Sequence, residues 1–131
     1  MMDDSRRTLR TCLLRLAAER RTATYHELAD LAGVPPPHRI HSLTLLLEDL
    51  VREDHAAGRP LIAACAVSRA QNGIPGRGFF QLLQGLGRYR GSDRGAEAAA
   101  CHDAELKAAW DFWGDYWGEG ASGDGRPSEG R

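Results

Sequence analysis

Three consecutive prolines, Pro35-Pro36-Pro37, stand two residues after Gly33 and divide the N-terminal half of the sequence into helical segments that cannot be continuous. Proline has no amide hydrogen to give a helix interior, and its ring clashes with the preceding turn. A glycine just upstream supplies the left-handed conformation in which helices commonly end. Before this break, Thr24 and Glu27 have capping-box spacing, and Leu28, Ala29, Leu31 and Ala32 supply an inner face. After it, proline is tolerated in a first turn, so the next helix is predicted to start at Pro36 or Pro37 and to run to Ala57. Its apolar face is Ile40, Leu43, Leu47, Leu50 and Val51, and Gly58 ends it. Two helices joined by a turn of about four residues is the spacing of a helix-turn-helix.

The flanks extend this pattern. Asp3, Asp4 and Ser5 are cap candidates for a first helix whose apolar face is Leu9, Cys12, Leu13, Leu16 and Ala17, ending near Glu19. Leu61 to Val67 is a short apolar run that suits a strand better than a helix. The turn dipeptides Asn72-Gly73 and Pro75-Gly76 come after it, which reads as a wing. Phe79 to Leu86 reads as a short helix, 87–95 as a linker, and Ala96 to Trp117 as a last helix. The expected fold is mainly α: a winged helix-turn-helix domain over 1–95, with a short β-hairpin wing, and a C-terminal helix over 96–117. That helix packs on the domain or on a second copy. The stretch 118–131 has no large apolar anchor and is expected to be a disordered tail.

The length, 131 residues, fits one domain with a modest core. No apolar run approaches the ~20 residues of a membrane span. The acidic Met1-Met2-Asp3-Asp4 start followed by arginines is unlike a signal peptide, and Cys12, Cys65 and Cys101 form no CxxC pair or disulfide framework. A reducing cytoplasm is the expected location. Net charge is −1, but residues 1–95 hold 14 Lys/Arg against 10 Asp/Glu, whereas 96–131 hold 3 against 8. A basic body with an acidic C-terminal part points to an anion-binding surface.

The segment Arg21–Arg39, RTATYHELADLAGVPPPHR, resembles the helix-turn-helix of the DNA O6-alkylguanine alkyltransferases and the alkyltransferase-like proteins. Thr24, Tyr25, Glu27, Leu28, Ala29, Gly33, Pro35 and Arg39 match that pattern at the same spacing, and the likeness extends loosely over residues 20–80. The resemblance implies that Tyr25 crowds a phosphate beside the target nucleotide and that Arg39 enters the base stack from the minor groove. It fails where the enzymes carry Pro-Cys-His-Arg. Here Ala64-Cys65-Ala66-Val67 occupies the comparable strand, and His26 replaces the usual glycine. A thiol without a base or cationic neighbour is a poor nucleophile.

The expected DNA-contacting set is therefore Tyr25, His38, Arg39, Ser42, Arg69 and Arg77, with no catalytic residue, no metal and no cofactor. His38 and His41 lack the second ligand pair a metal site needs. The run 72–78, NGIPGRG, lacks the Lys-Ser/Thr of a phosphate loop and reads as a glycine turn. Trp110, Trp113 and Trp117 recur at helical spacing and mark core packing, a homodimer seam or a partner interface. The leading function is non-catalytic binding of double-stranded DNA, as a regulator or a sensor of distorted DNA. The alternative is a winged-helix protein-interaction module working through its acidic, Trp-rich C-terminal helix.

Overall fold

The computed structural model describes residues 2–71 and 73–122, with side chains over 4–70 and 73–115. Five α-helices and a two-stranded parallel sheet make up the described part. Helix α1, Met2–Glu19, buries Leu9, Leu13, Leu16 and Ala17. It begins earlier than Asp3, Asp4 and Ser5 predict as caps, so these residues lie in its first turn, where the helix dipole favours negative charge. It closes with the Arg21 amide donating to the Leu16 carbonyl and the Arg20 amide to that of Ala17, while Arg20 takes a left-handed φ of 53°.

Strand β1, Ala23–Thr24, leads directly into helix α2, Tyr25–Leu31. The capping box is complete: the Glu27 amide donates to Thr24 Oγ1 at 3.2 Å, and the Thr24 amide donates to Glu27 Oε1 at 2.8 Å. Gly33, at φ 67°, turns the chain so that the Val34 amide reaches the Ala29 carbonyl at 3.0 Å. The connection to helix α3, Arg39–Ala56, is Ala32–His38, longer than the four-residue turn the sequence predicts. The prolines do not enter α3. His38 sits at φ 61°, which is not helical, and the helix starts only after it.

The Leu61–Val67 run is not one strand. Ile62–Cys65 form a 3-10 turn, and only Ala66–Val67 are extended, as β2. The expected β-hairpin wing is therefore corrected: β2 pairs parallel with β1, Ala23 opposite Ala66 and Thr24 opposite Val67. The physical reason is burial. Residues 61–67 are all buried, and the small side chains of Ala63, Ala64 and Cys65 let the backbone turn inside the core instead of running out along a solvent-facing edge. Beyond β2 the chain folds back far enough for one antiparallel bridge, Ser68 with Ile74.

Helix α4, Arg77–Gly85, buries Phe80 and Leu83. The segment that composition marks as a linker, 87–95, is tied down. Gln84 donates to the Gly91 carbonyl at 2.7 Å, and Arg88 meets Glu105 at 2.9 Å. Helix α5, Gly95–Ser122, runs antiparallel to α1. At Gly114 a Cβ would stand 3.3 Å from the Ala17 carbonyl oxygen, so the two helices approach to backbone contact there. The helix runs past the start expected for the tail, and 123–131 lie outside the described residues, as does the Trp117 side chain. Among the described residues no helix is long and apolar enough to cross a membrane.

One carboxylate joins these layers. Asp54 is fully buried, on the same face of α3 as Leu47, Leu50 and Val51. It accepts from Arg10 Nη2 at 3.3 Å, from Arg59 Nη2 at 3.0 Å and from the Ile62 amide at 3.0 Å. The Arg10 and Arg59 guanidiniums also each lie 5.4 Å from the centre of the Trp113 ring. A buried charge survives when it is paired and hydrogen-bonded, and here both conditions hold.

Candidate nucleic-acid interface

The parallel pairing of β1 with β2 has a local consequence. It brings the start of α2 beside the turn after β2. An open depression of about 390 Å³ forms there, lined by Tyr25 and His26 from α2, Ile40 from the first turn of α3, and Ser68 and Arg69. His26 and Arg69 are exposed, and Tyr25 is half-buried. The Tyr25 hydroxyl accepts from the Gly76 amide at 2.8 Å, and Arg77, the next residue, opens α4 with its charge acting on Asp93. Burial pushes the Tyr25 phenol above its ordinary range; the Gly76 hydrogen bond opposes that shift and the charge of Glu48 adds to it. The phenol is thus neutral at physiological pH, with its own proton left to donate. Two of the sequence-predicted contact residues, Tyr25 and Arg69, line this depression, and Arg77 follows Gly76 in the chain.

Arg69 and Arg77 differ from most other arginines of the basic body. Arg6, Arg10, Arg20, Arg39 and Arg59 each meet a carboxylate within 4 Å. Among the described residues Arg69 and Arg77 make no such ion pair, though Arg69 helps hold the Glu27 carboxyl below its usual range, after the larger effect of the Thr24 amide, and Arg77 does the same for Asp93, after the larger effect of the Gln81 hydrogen bond. An unpaired surface guanidinium is available to a phosphate.

The other expected contacts are placed differently. Arg39 folds back on its own turn: its Nε donates to the Val34 carbonyl at 2.8 Å, and Nη1 pairs with Asp30 at 2.8 Å. His38 is exposed at the N-cap of α3 without a side-chain capping bond. The Ser42 amide makes the first intrahelical bond of α3, to His38, and its side chain is half-buried. Farther along, α3 carries Glu48 and Asp49, both within 4 Å of Arg52, and Glu53, paired with Arg6 and Arg10. Sequence reading noted His26 only as a departure from a pattern, and missed Ile40 and Ser68 as neighbours of Tyr25. The signal that joins them is the β1–β2 register, which no local pattern encodes.

The remaining candidates lie inside the fold. Cys65 is fully buried, and burial pushes its thiol up to about 12, against a smaller opposing effect of a hydrogen bond with Trp110. Such a thiol carries no appreciable thiolate at neutral pH. Trp113 is buried and donates from Nε1 to the Pro60 carbonyl at 2.7 Å. Trp110 donates to the Arg21 carbonyl at 3.2 Å, with Arg20 over its ring at 5.0 Å. The described part of the tryptophan stripe is therefore engaged within this chain. Comparison with family profiles, with characterised proteins and with solved structures returns no match to the chain.

Proposed function

We propose that this protein binds double-stranded DNA without acting on it chemically, using α2 and α3 as a helix-turn-helix and the post-β2 turn as its wing. The observation that carries the reading is the depression in which Tyr25, His26 and Arg69 meet the first turn of α3, with Arg77 next in the chain to the Gly76 that Tyr25 holds. Two guanidiniums free of ion pairs among the described residues, a neutral phenol and an exposed imidazole suit a phosphate backbone. The uncapped N-terminus of α3 adds amide donors and the positive end of the helix dipole. The resemblance of Arg21–Arg39 to the alkyltransferase-like DNA binders agrees with this reading, and the buried, protonated Cys65 agrees with its non-catalytic part.

The test is a salt titration of binding to random-sequence duplex DNA. Affinity should fall steeply with salt. Arg69→Ala and Arg77→Ala should each lower it and reduce the log–log salt slope by about 1, with the fold unchanged. Binding that is absent at low salt, or equal for the parent and the double variant, removes this surface as a DNA site.

A further inference from the structure

The proposed DNA contact has ligands for phosphate but none yet for a base, and the fold of α3 leaves few places for one. Arg39 is held by Asp30 and the Val34 carbonyl, and Ser42 is half-buried. Ile40 and Thr44 both meet Tyr25, the first in the depression and the second in a small crevice between α3 and α4. Residues four apart on a helix lie one above the other, so Ile40 and Thr44 form one row and His41, Leu45 and Asp49 form the row beside it. All three members of this second row are exposed.

Leu45 sets this row apart. It is 45% exposed, and among the described residues Leu31 is the only other large hydrophobic so open to water. Leu31 borders the groove between α1 and α2 instead. The row around Leu45 is polar, with His41 one turn before it and Asp49 one turn after it. One leucine in such surroundings is too small an apolar patch for a protein partner or a second copy. It is enough for a single methyl group. In duplex DNA that group is the C5 methyl of thymine, which the major groove presents and the minor groove does not. The major groove, about 12 Å wide, admits a helix. Asp49 does not bar α3 from it: the carboxylate lies 3.5 Å from Arg52, and a carboxylate there can accept from the amino group of cytosine. The His41 imidazole, unpaired among the described residues, is free to bond a neighbouring base edge.

We infer that Leu45 reads the methyl group of thymine, so that α3 lies in the major groove with its His41–Leu45 row on the base edges. This rests on the DNA-binding reading above, and it departs from the minor-groove entry that the resemblance implies for Arg39.

Two duplexes that differ only in this methyl test it, alternating adenine–thymine and its counterpart with deoxyuridine in place of thymidine. The first offers a thymine at whichever register Leu45 meets. The full chain should bind it about fourfold more tightly than the second, as burial of one methyl group implies. Leu45→Ala, at an exposed site, should keep the circular dichroism spectrum and bind both duplexes alike, at the weaker affinity. Leu31→Ala, at the other exposed leucine, should keep the preference of the parent. A parent without the preference, or a preference that survives Leu45→Ala or is lost in Leu31→Ala, overturns the inference, while salt-dependent binding to either duplex leaves the DNA-binding reading standing. No binding to either duplex at low salt overturns both.

Discussion

Arg39 closes the turn in front of α3 by capping the Val34 carbonyl and pairing with Asp30. Arg39→Ala should therefore cost about 1 kcal/mol in stability and change duplex affinity less than Arg69→Ala does; urea denaturation beside the binding titration checks both. His38, one residue earlier, occupies the left-handed region without being glycine. His38→Val should destabilise by about 1–2 kcal/mol, since a branched Cβ is poorly tolerated there. His38→Gly should stay within about 1 kcal/mol of the parent, because relieved strain offsets the entropy of glycine. A large loss in the glycine variant would show that the imidazole itself holds the turn. Asp54 is the costliest polar side chain to remove. Asp54→Ala leaves two guanidiniums and the Ile62 amide without their acceptor. A loss of about 3 kcal/mol is expected, at the low end for a broken buried pair because Arg10 and Arg59 keep some contact with water. Sequence reading did not single out Asp54, although it falls three residues after Val51 on the apolar face of its helix. Its partners were not visible there, because they come from α1 and from the loop after α3.

At the scale of elements, Trp113 is what fastens α5. Trp113→Ala should cost about 3–5 kcal/mol, from a lost buried ring, and should release α5 first. Trp113→Phe keeps a ring but forfeits the hydrogen bond to Pro60 and part of the indole under Arg10 and Arg59, so about 2 kcal/mol is expected, less than for alanine. Thermal unfolding with limited proteolysis distinguishes a detached α5 from a wholly unfolded chain. The helices were largely legible because their signals are local: α1 and α3 repeat their leucines every three or four residues, and Thr24 with Glu27 fixes the start of α2. The strands were not. A two-residue strand has no periodicity, and β2 is specified by Ala23–Thr24, more than forty positions away in the chain. That one pairing separates an expected hairpin wing from the observed arrangement. It also places Arg69 near Tyr25, so the part of the candidate site that went unread comes from the same non-local contact.

For the molecule as a whole, stability should peak between roughly pH 6.5 and 9, set by groups that folding keeps uncharged. His102 is buried, with Nε2 bonded to the Ala64 carbonyl at 2.8 Å, and burial lowers its pKa from 6.5. The unfolded chain therefore binds its proton first, and the His102 contribution is lost as pH falls below about 6.5. On the alkaline side Cys65 is pushed up to about 12 and Cys101 to about 11, chiefly by burial. Unfolding releases these protons, so stability falls as pH rises above the ordinary thiol value of 9.0. Urea midpoints from pH 5 to 10 should trace this dome, and His102→Gln should flatten its acid side down to the carboxylate range.

The seam between α1 and α5 has a kinetic consequence. Arg20 and Asp111 stand 91 positions apart, and Trp110 and Arg21 stand 89 apart. Helical proteins usually fold fast because their contacts are close in sequence. Here the first helix meets its principal partner only when the last one arrives. During synthesis α1 leaves the ribosome with Ala17 and Ala18 lacking that cover, and they wait until α5 has been made. Folding should accordingly be slower than helix content implies, and the nascent chain should present α1 to chaperones until α5 docks.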